Sequence, residues 1–164
     1  ALRASTNIDP QLFLSVNFSP SAVLGGFARD CLRGVNRKLI IELTEHAPID
    51  DYPAVRRALT EMPGVDLAVD DAGAGYTSLR HILELKPKYV KLDISIVHNI
   101  DTDEARQAMA AGIMHFASHD GTVVIAEGIE TEDEAKKLQG LGVKLGRGLI
   151  LGQGYYFAKP APLE

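Results

Sequence analysis

A single cysteine in 164 residues, Cys31, leaves no partner for a disulfide within the chain. That usage fits a reducing compartment, so a cytoplasmic setting is expected. No apolar run approaches the roughly eighteen residues that span a bilayer. The opening residues Ala1-Leu2-Arg3-Ala4-Ser5 carry no signal-peptide pattern. Positive charge is scarce as well. Lys and Arg number 17 against 22 Asp and Glu, and the net charge of -5 argues against broad affinity for duplex nucleic acid. A small anionic ligand stays open, because a bound cation reverses the local sign. No low-complexity tract, linker-like stretch or repeating period occurs. What remains, 46% hydrophobic and 24% charged residues, suits one globular domain with a sizeable core.

Strand and helix patterns alternate along the chain. Leu12-Phe13-Leu14-Ser15-Val16-Asn17 reads as a buried strand, and Ser19-Pro20-Ser21 as the start of a helix stopping near Gly34. Leu39–Leu43 is a second strand; Asp50 or Asp51 then caps a helix that ends at Pro63-Gly64. Val65–Val69 is a third strand, running into Asp70-Asp71, and a glycine-bearing loop leads to a helix around Leu79, Ile82 and Leu83. Tyr89–Asp93 reads as a fourth strand. A long helix over about 102–119 presents Ala105, Ala108, Met109, Ile113, Phe116 and Ala117 at helical spacing, and Gly121 stops it. Thr122–Ala126 is a fifth strand ending at Glu127. Thr131 and Glu134 form a capping-box pattern before a helix expected to end at Gly142. Either Leu149-Ile150-Leu151 or Tyr155-Tyr156-Phe157 supplies a sixth strand, with Tyr155 and Tyr156 read as strand packing.

Apolar strands between helices imply an α/β fold with a parallel sheet covered on both faces, either doubly wound or a (β/α) barrel. Polar residues decide between them. Asn17, Glu42, Asp70, Lys91 and Glu127 fall at or near the C-terminal ends of successive strands. In a barrel these ends converge on one rim, where barrel active sites lie.

Glu42, Asp70, Asp71 and Glu127 offer anionic oxygen and Asn17 a neutral amide oxygen, a donor set suited to Mg²⁺ or Mn²⁺. Carboxylates this close repel one another without a cation. Adjacent residues of a strand point to opposite faces, so one aspartate of the pair can bridge two ions while the other turns aside, as in two-metal centres. Lys91 would hydrogen-bond a water or a phosphate oxygen. Taken singly, each of these residues has a plainer role: a turn or cap for Asp70-Asp71, an ion pair for Glu42 or Lys91. Their recurrence at equivalent strand ends carries the metal reading. His115 and His119 have a spacing that can bind zinc, but their helix reads as a packing helix, and Cys31 reads as a small buried residue.

Six ordered segments carry a resemblance: Asn17-Phe18-Ser19, Glu42-Leu43-Thr44-Glu45, Asp70 through Leu79, Lys91-Leu92-Asp93, Ala126 through Thr131, and Gln153-Gly154-Tyr155. Together they resemble the EAL family of cyclic di-GMP phosphodiesterases over essentially the whole chain. The resemblance implies a modified TIM (β/α)8 barrel that linearises cyclic di-GMP to pGpG with Mg²⁺ or Mn²⁺ in bacterial second-messenger signalling. It implies that Asn17, Glu42 and Asp70 bind one metal, and that Asp70, Asp71 and Glu127 serve the second. Lys91 would assist the water, with Glu127 and Asp71 beside it in catalysis. Glu45 would anchor the glycine-bearing loop, which contributes to dimer contacts. Glu130 and Gln153 would line the metal and water site, with Ser19 and the segment after Pro160 touching substrate. A homodimer is implied, fused to or regulated by a sensory or GGDEF-type domain.

The chain departs from the family pattern in three places. The signature Glu-Ala-Leu strand is not in the sequence, and six strands stand against the eight of a full barrel. Residues 1–164 are therefore expected to form a single, N-terminally incomplete EAL-type domain whose gap a longer parent, a partner or a dimer covers. The segment between Asn17 and Glu42 is short. In the tail, spacing from Glu127 puts Arg147 at the family's glutamine, whereas local match favours Gln153. These departures keep a second reading open: a degenerate, inactive EAL domain serving as a cyclic di-GMP receptor or protein-interaction module.

Overall fold

The computed structural model describes residues 9, 11–43, 48–73, 76–144 and 150–161. Six parallel strands form one sheet in chain order, β1 (Leu14–Phe18), β2 (Leu39–Leu43), β3 (Val65–Ala72), β4 (Tyr89–Leu92), β5 (Val123–Ala126) and β6 (Ile150–Gly152). Helices connect them: α1 (Pro20–Leu24), α2 (Phe27–Leu32), α3 (Tyr52–Thr60), α4 (Tyr76–Leu85), α5 (Ile94–Val97), α6 (Glu104–Asp120) and α7 (Glu132–Lys144). The sheet is open, with β1 and β6 at its edges among the described residues. No helix among those residues is long and apolar enough to cross a membrane.

The period-two geometry of a strand sorts the sheet into two faces. One face carries Ile41, Leu43, Val69 and Val90, packed with Val23, Leu32 and Val55 of the helices. Leu92, Val124 and Ala126 continue that face against Ile96, Met114 and Leu138. On the other face Ile40, Ala68, Tyr89 and Ile125 make a small cluster of their own. Two residues further along each of those strands, on the same face, stand Glu42, Asp70, Lys91 and Glu127. The inner face is thus apolar below and charged at the C-terminal rim, and the apolar layer beneath fixes the strands that carry the charges.

Helix starts follow their caps. Ser19 Oγ accepts from the Ala22 N–H at 3.2 Å, and Asp51 Oδ1 from the Ala54 N–H at 2.8 Å. Asp103 Oδ1 accepts from the N–H groups of Ala105 and Arg106 at 2.9 and 3.2 Å, a cap worth about 1 kcal/mol. Gly121 closes α6 at φ 74°, a conformation glycine adopts without strain.

Several elements differ from the sequence expectation. The helix expected from Ser19 to Gly34 is two helices, because Gly25-Gly26 breaks it and Gly26 sits at φ 79°. The fourth strand ends at Leu92, since Asp93 caps α5, a single turn too short to leave a periodic signature; its carboxylate accepts from the Ser95 N–H at 2.9 Å. The buried side of α6 is Ala110, Met114 and Ala117, with Met109 exposed. That face is turned roughly a third of a turn from the expected stripe, at 100° per residue, because apolar residues surround this helix and packing on α5 chooses among them; Ile113 and Phe116 of the stripe still pack against the core from its flank. Helix α7 continues through Gly142 to Lys144. The sixth strand forms at Ile150–Gly152, on the segment with Ile150 and Leu151, while Leu149 lies outside the described residues; Tyr155, Tyr156 and Phe157 form an exposed turn instead of packing in a strand.

Candidate metal centre

Lys91 organises the rim. It stands on β4 flanked by β3 and β5, with only 5% of its surface exposed. Its Nζ lies 2.8 Å from Glu42 Oε2, 3.1 Å from Asp70 Oδ1 and 2.8 Å from Glu127 Oε1. Burial disfavours its charge, but hydrogen bonding to Glu127 and Glu42 and their negative charge outweigh burial, so its pKa is raised above the usual lysine value. The ammonium therefore stays protonated and acts as a donor. The Glu127 carboxyl is pushed up to about 7, by burial above all and by the charge of Asp70, against the downward pull of Lys91. Three carboxylates thus gather about one cation, a surplus of negative charge that favours a further cation.

Asp70 and Asp71 reach the same place by a backbone device. The pairing of β3 with β4 shifts register between Val69 and Ala72. Asp71 takes φ 53° and donates its N–H to Asp70 Oδ1 at 3.0 Å. An irregularity of this kind re-aims a side chain that a regular pleat would send to the opposite face. Oxygens of Asp70, Asp71 and Glu127 consequently lie within 4.8 Å of one another, close enough to hold one ion. Three partly buried carboxylates with no sulfur or imidazole among them match hard cations such as Mg²⁺ and Mn²⁺.

The remaining expected residues are distributed around this group. Asn17 pairs in register with Glu42 across β1 and β2. Glu130 and Gln153 line a depression of about 370 Å³ with Asp71, Glu127 and Tyr155. Ser19 uses its hydroxyl as the cap of α1, with Ser21 Oγ 2.9 Å away. Glu45 and Arg147 lie outside the described residues. One contributor was not anticipated. Ser15 Oγ donates to Glu42 Oε1, so both oxygens of Glu42 are engaged. Its position two residues before Asn17, on the same face, was the available signal. Glu134, anticipated as a helix cap, also accepts from the distant Asn99 N–H at 2.9 Å.

An α/β sheet with an acidic rim at the strand ends defines the class, and comparison with known proteins supplies the family. The family model for the EAL domain matches residues 1–160, and the chain belongs to that family. It is 30% identical over 158 residues to Cyclic di-GMP phosphodiesterase PdeL of Escherichia coli, covering 91% of this chain and 42% of that protein. A structure of Klebsiella pneumoniae BlrP1, a manganese/cy-diGMP complex, superposes with a TM-score of 0.78 at 29% identity, covering 98% of this chain and 42% of that one. An EAL domain protein from Listeria monocytogenes shares the fold with a TM-score of 0.79 at 24% identity, covering 98% of this chain and 65% of that one. The chain therefore spans less than half the length of PdeL.

Proposed function

We propose that this chain carries the catalytic rim of a divalent-metal-dependent phosphodiesterase that hydrolyses cyclic di-GMP to pGpG. The observation that carries the reading is the convergence of Asp70, Asp71 and Glu127 oxygens within 4.8 Å beside a Lys91 already bonded to three carboxylates. The name of PdeL and the complex of BlrP1 with cy-diGMP support the choice of substrate.

In this reading Asn17, Glu42 and Asp70 hold one ion, and Asp70, Asp71 and Glu127 hold a second. Bound Mg²⁺ or Mn²⁺ supplies Lewis acidity to the phosphate and lowers the pKa of an attacking water. Lys91, held protonated by its neighbours, donates a hydrogen bond to that water or to a phosphate oxygen. Glu130 and Gln153 border the depression beside Glu127, where part of the substrate or its water rests, and Ser19, the residue after β1, would touch the substrate. Hydrolysis adds the water oxygen to phosphorus, breaks one P–O3′ bond, and leaves the departing 3′ oxygen protonated.

Asp70→Asn tests the reading, because Asp70 is the ligand assigned to both ions. Hydrolysis of cyclic di-GMP in Mg²⁺ or Mn²⁺ is expected to be lost, and survival of the activity in that variant would sink the metal-centre reading.

A further inference from the structure

Glu134 is 2% exposed, on the first turn of α7, and its carboxylate has three backbone partners. Oε2 accepts from the N–H of Glu130 at 2.9 Å and from that of Thr131 at 3.1 Å. Oε1 accepts from the N–H of Asn99 at 2.9 Å, 35 residues earlier in the chain. A capping box explains the Thr131 bond and its reciprocal, the Glu134 N–H to Thr131 Oγ1 at 3.2 Å. It does not explain the bonds from Glu130 and Asn99. Nor does the first turn need this carboxylate for its dipole, since Glu132 and Asp133 already place negative charge there.

The extra bonds fall on the segment that carries the rim. The Glu127 N–H donates to the Leu92 carbonyl at 3.2 Å, and the Ile129 N–H to the Gln153 carbonyl at 3.1 Å. Gly128 sits at φ 69°, and the Ile94 side chain of α5 occupies the place a Cβ would take. Glu134 accepts the next two N–H groups along. The loop is thus bonded through the N–H groups of Glu127, Ile129, Glu130 and Thr131, and one carboxylate holds its far end against the turn that follows α5.

We infer that Glu134 is a positioning residue: its carboxylate pins the Glu127–Thr131 loop to the Asn99 turn and so aims Glu127 into the group around Lys91. The inference rests on the reading of that group as a metal centre. Partners that orient metal ligands typically contribute ten- to hundred-fold in metal affinity or activity.

The test titrates Mn²⁺ alone into the parent protein, Glu134→Ala, Glu134→Gln and Lys136→Ala, by calorimetry well below each melting temperature. Lys136→Ala, which removes an exposed ion pair with Glu132 on the same helix, is the control. Glu134→Ala is expected to weaken Mn²⁺ binding about ten- to hundred-fold and to raise the Mn²⁺ concentration for half-maximal hydrolysis in parallel. Glu134→Gln keeps a carbonyl oxygen for the Glu130 and Thr131 N–H groups but turns an NH2 donor toward the Asn99 N–H, so its affinity is expected to fall between those of the parent and of Glu134→Ala. A purely structural role would lower stability without this separation of Ala from Gln.

A second measurement needs no variant. Coupling is reciprocal, so bound Mn²⁺ must slow amide exchange at Asn99, Glu130 and Thr131 of the parent by about the same tenfold or more. A folded Glu134→Ala that binds Mn²⁺ within twofold of the parent, or unchanged exchange at those three amides with Mn²⁺ bound, overturns the inference alone. A parent protein that takes up no Mn²⁺ overturns the metal-centre reading and the inference with it.

Discussion

Replacing Lys91 with methionine removes the one ammonium that Glu42, Asp70 and Glu127 share, while keeping much of the side-chain volume. The three carboxylates stay where β2, β3 and β5 put them, within 3.1 Å of the vacated Nζ position. Breaking a buried ion pair by removing one partner costs about 3–5 kcal/mol, because an uncompensated charge remains. For a chain of this size each kcal/mol moves Tm by about 2–4 °C, so Lys91→Met is expected to melt roughly 6–20 °C lower in EDTA. Divalent cations should reverse much of the loss. A ligand at a hundred times its Kd stabilises by about 2.7 kcal/mol, and the variant, lacking the competing ammonium, should gain more from Mg²⁺ than the parent does. Hydrolysis should not return with stability, since a donor aimed at the reacting phosphate is worth about 10²–10³ in kcat. The assay is a thermal melt of both proteins in EDTA and across a Mg²⁺ titration. Equal melting in EDTA, or equal stabilisation of both proteins by Mg²⁺, would refute this account of the rim.

Other outcomes follow from the same geometry. Ser15→Ala leaves Glu42 Oε1 without its hydroxyl donor and should cost about 1.5–3 kcal/mol in urea unfolding; an unchanged midpoint would remove Ser15 from the rim. Gly154→Ala would drive a Cβ into the Ile129 backbone, which itself bonds to Gln153, and should destabilise by at least about 1–3 kcal/mol. Burial alone would raise the Glu134 pKa, but the N–H groups of Glu130, Asn99 and Thr131 hold it below the ordinary carboxylate value. Its contribution is therefore complete above the unfolded pKa of about 4.3 and lost as pH falls through the lower folded one. The stability gap between parent and Glu134→Gln should shrink as pH falls below about 4.3, and a gap independent of pH would contradict the assignment.

The strand ends were the most legible part of the sequence. Apolar runs closed by Glu42, Asp70, Lys91 and Glu127 are local patterns, and period two fixes which of their neighbours share a face. The helix caps at Ser19, Asp51 and Thr131 were legible for the same reason. Asp71 was only half legible: a regular pleat sends it away from Asp70, and the register shift that returns it arises from the pairing of β3 with β4. The face of α6 was only partly legible: Ile113, Phe116 and Ala117 pack as expected, but alanines and methionines surround that helix, so tertiary packing decides its orientation. Glu134 shows the limit most clearly. Its bond to Thr131 spans three residues and has a sequence signature, whereas its bond to Asn99 spans 35 and depends on how α5 packs beside the Glu127 loop.

The central claim is that the rim around Lys91 turns over a cyclic dinucleotide with divalent metal. The direct measurement incubates the purified protein with cyclic di-GMP in Mg²⁺, in Mn²⁺ and in EDTA, and separates the products by chromatography. The account predicts pGpG with either metal and none in EDTA. Saturable binding of cyclic di-GMP with no pGpG in either metal would contradict it and leave a receptor in its place.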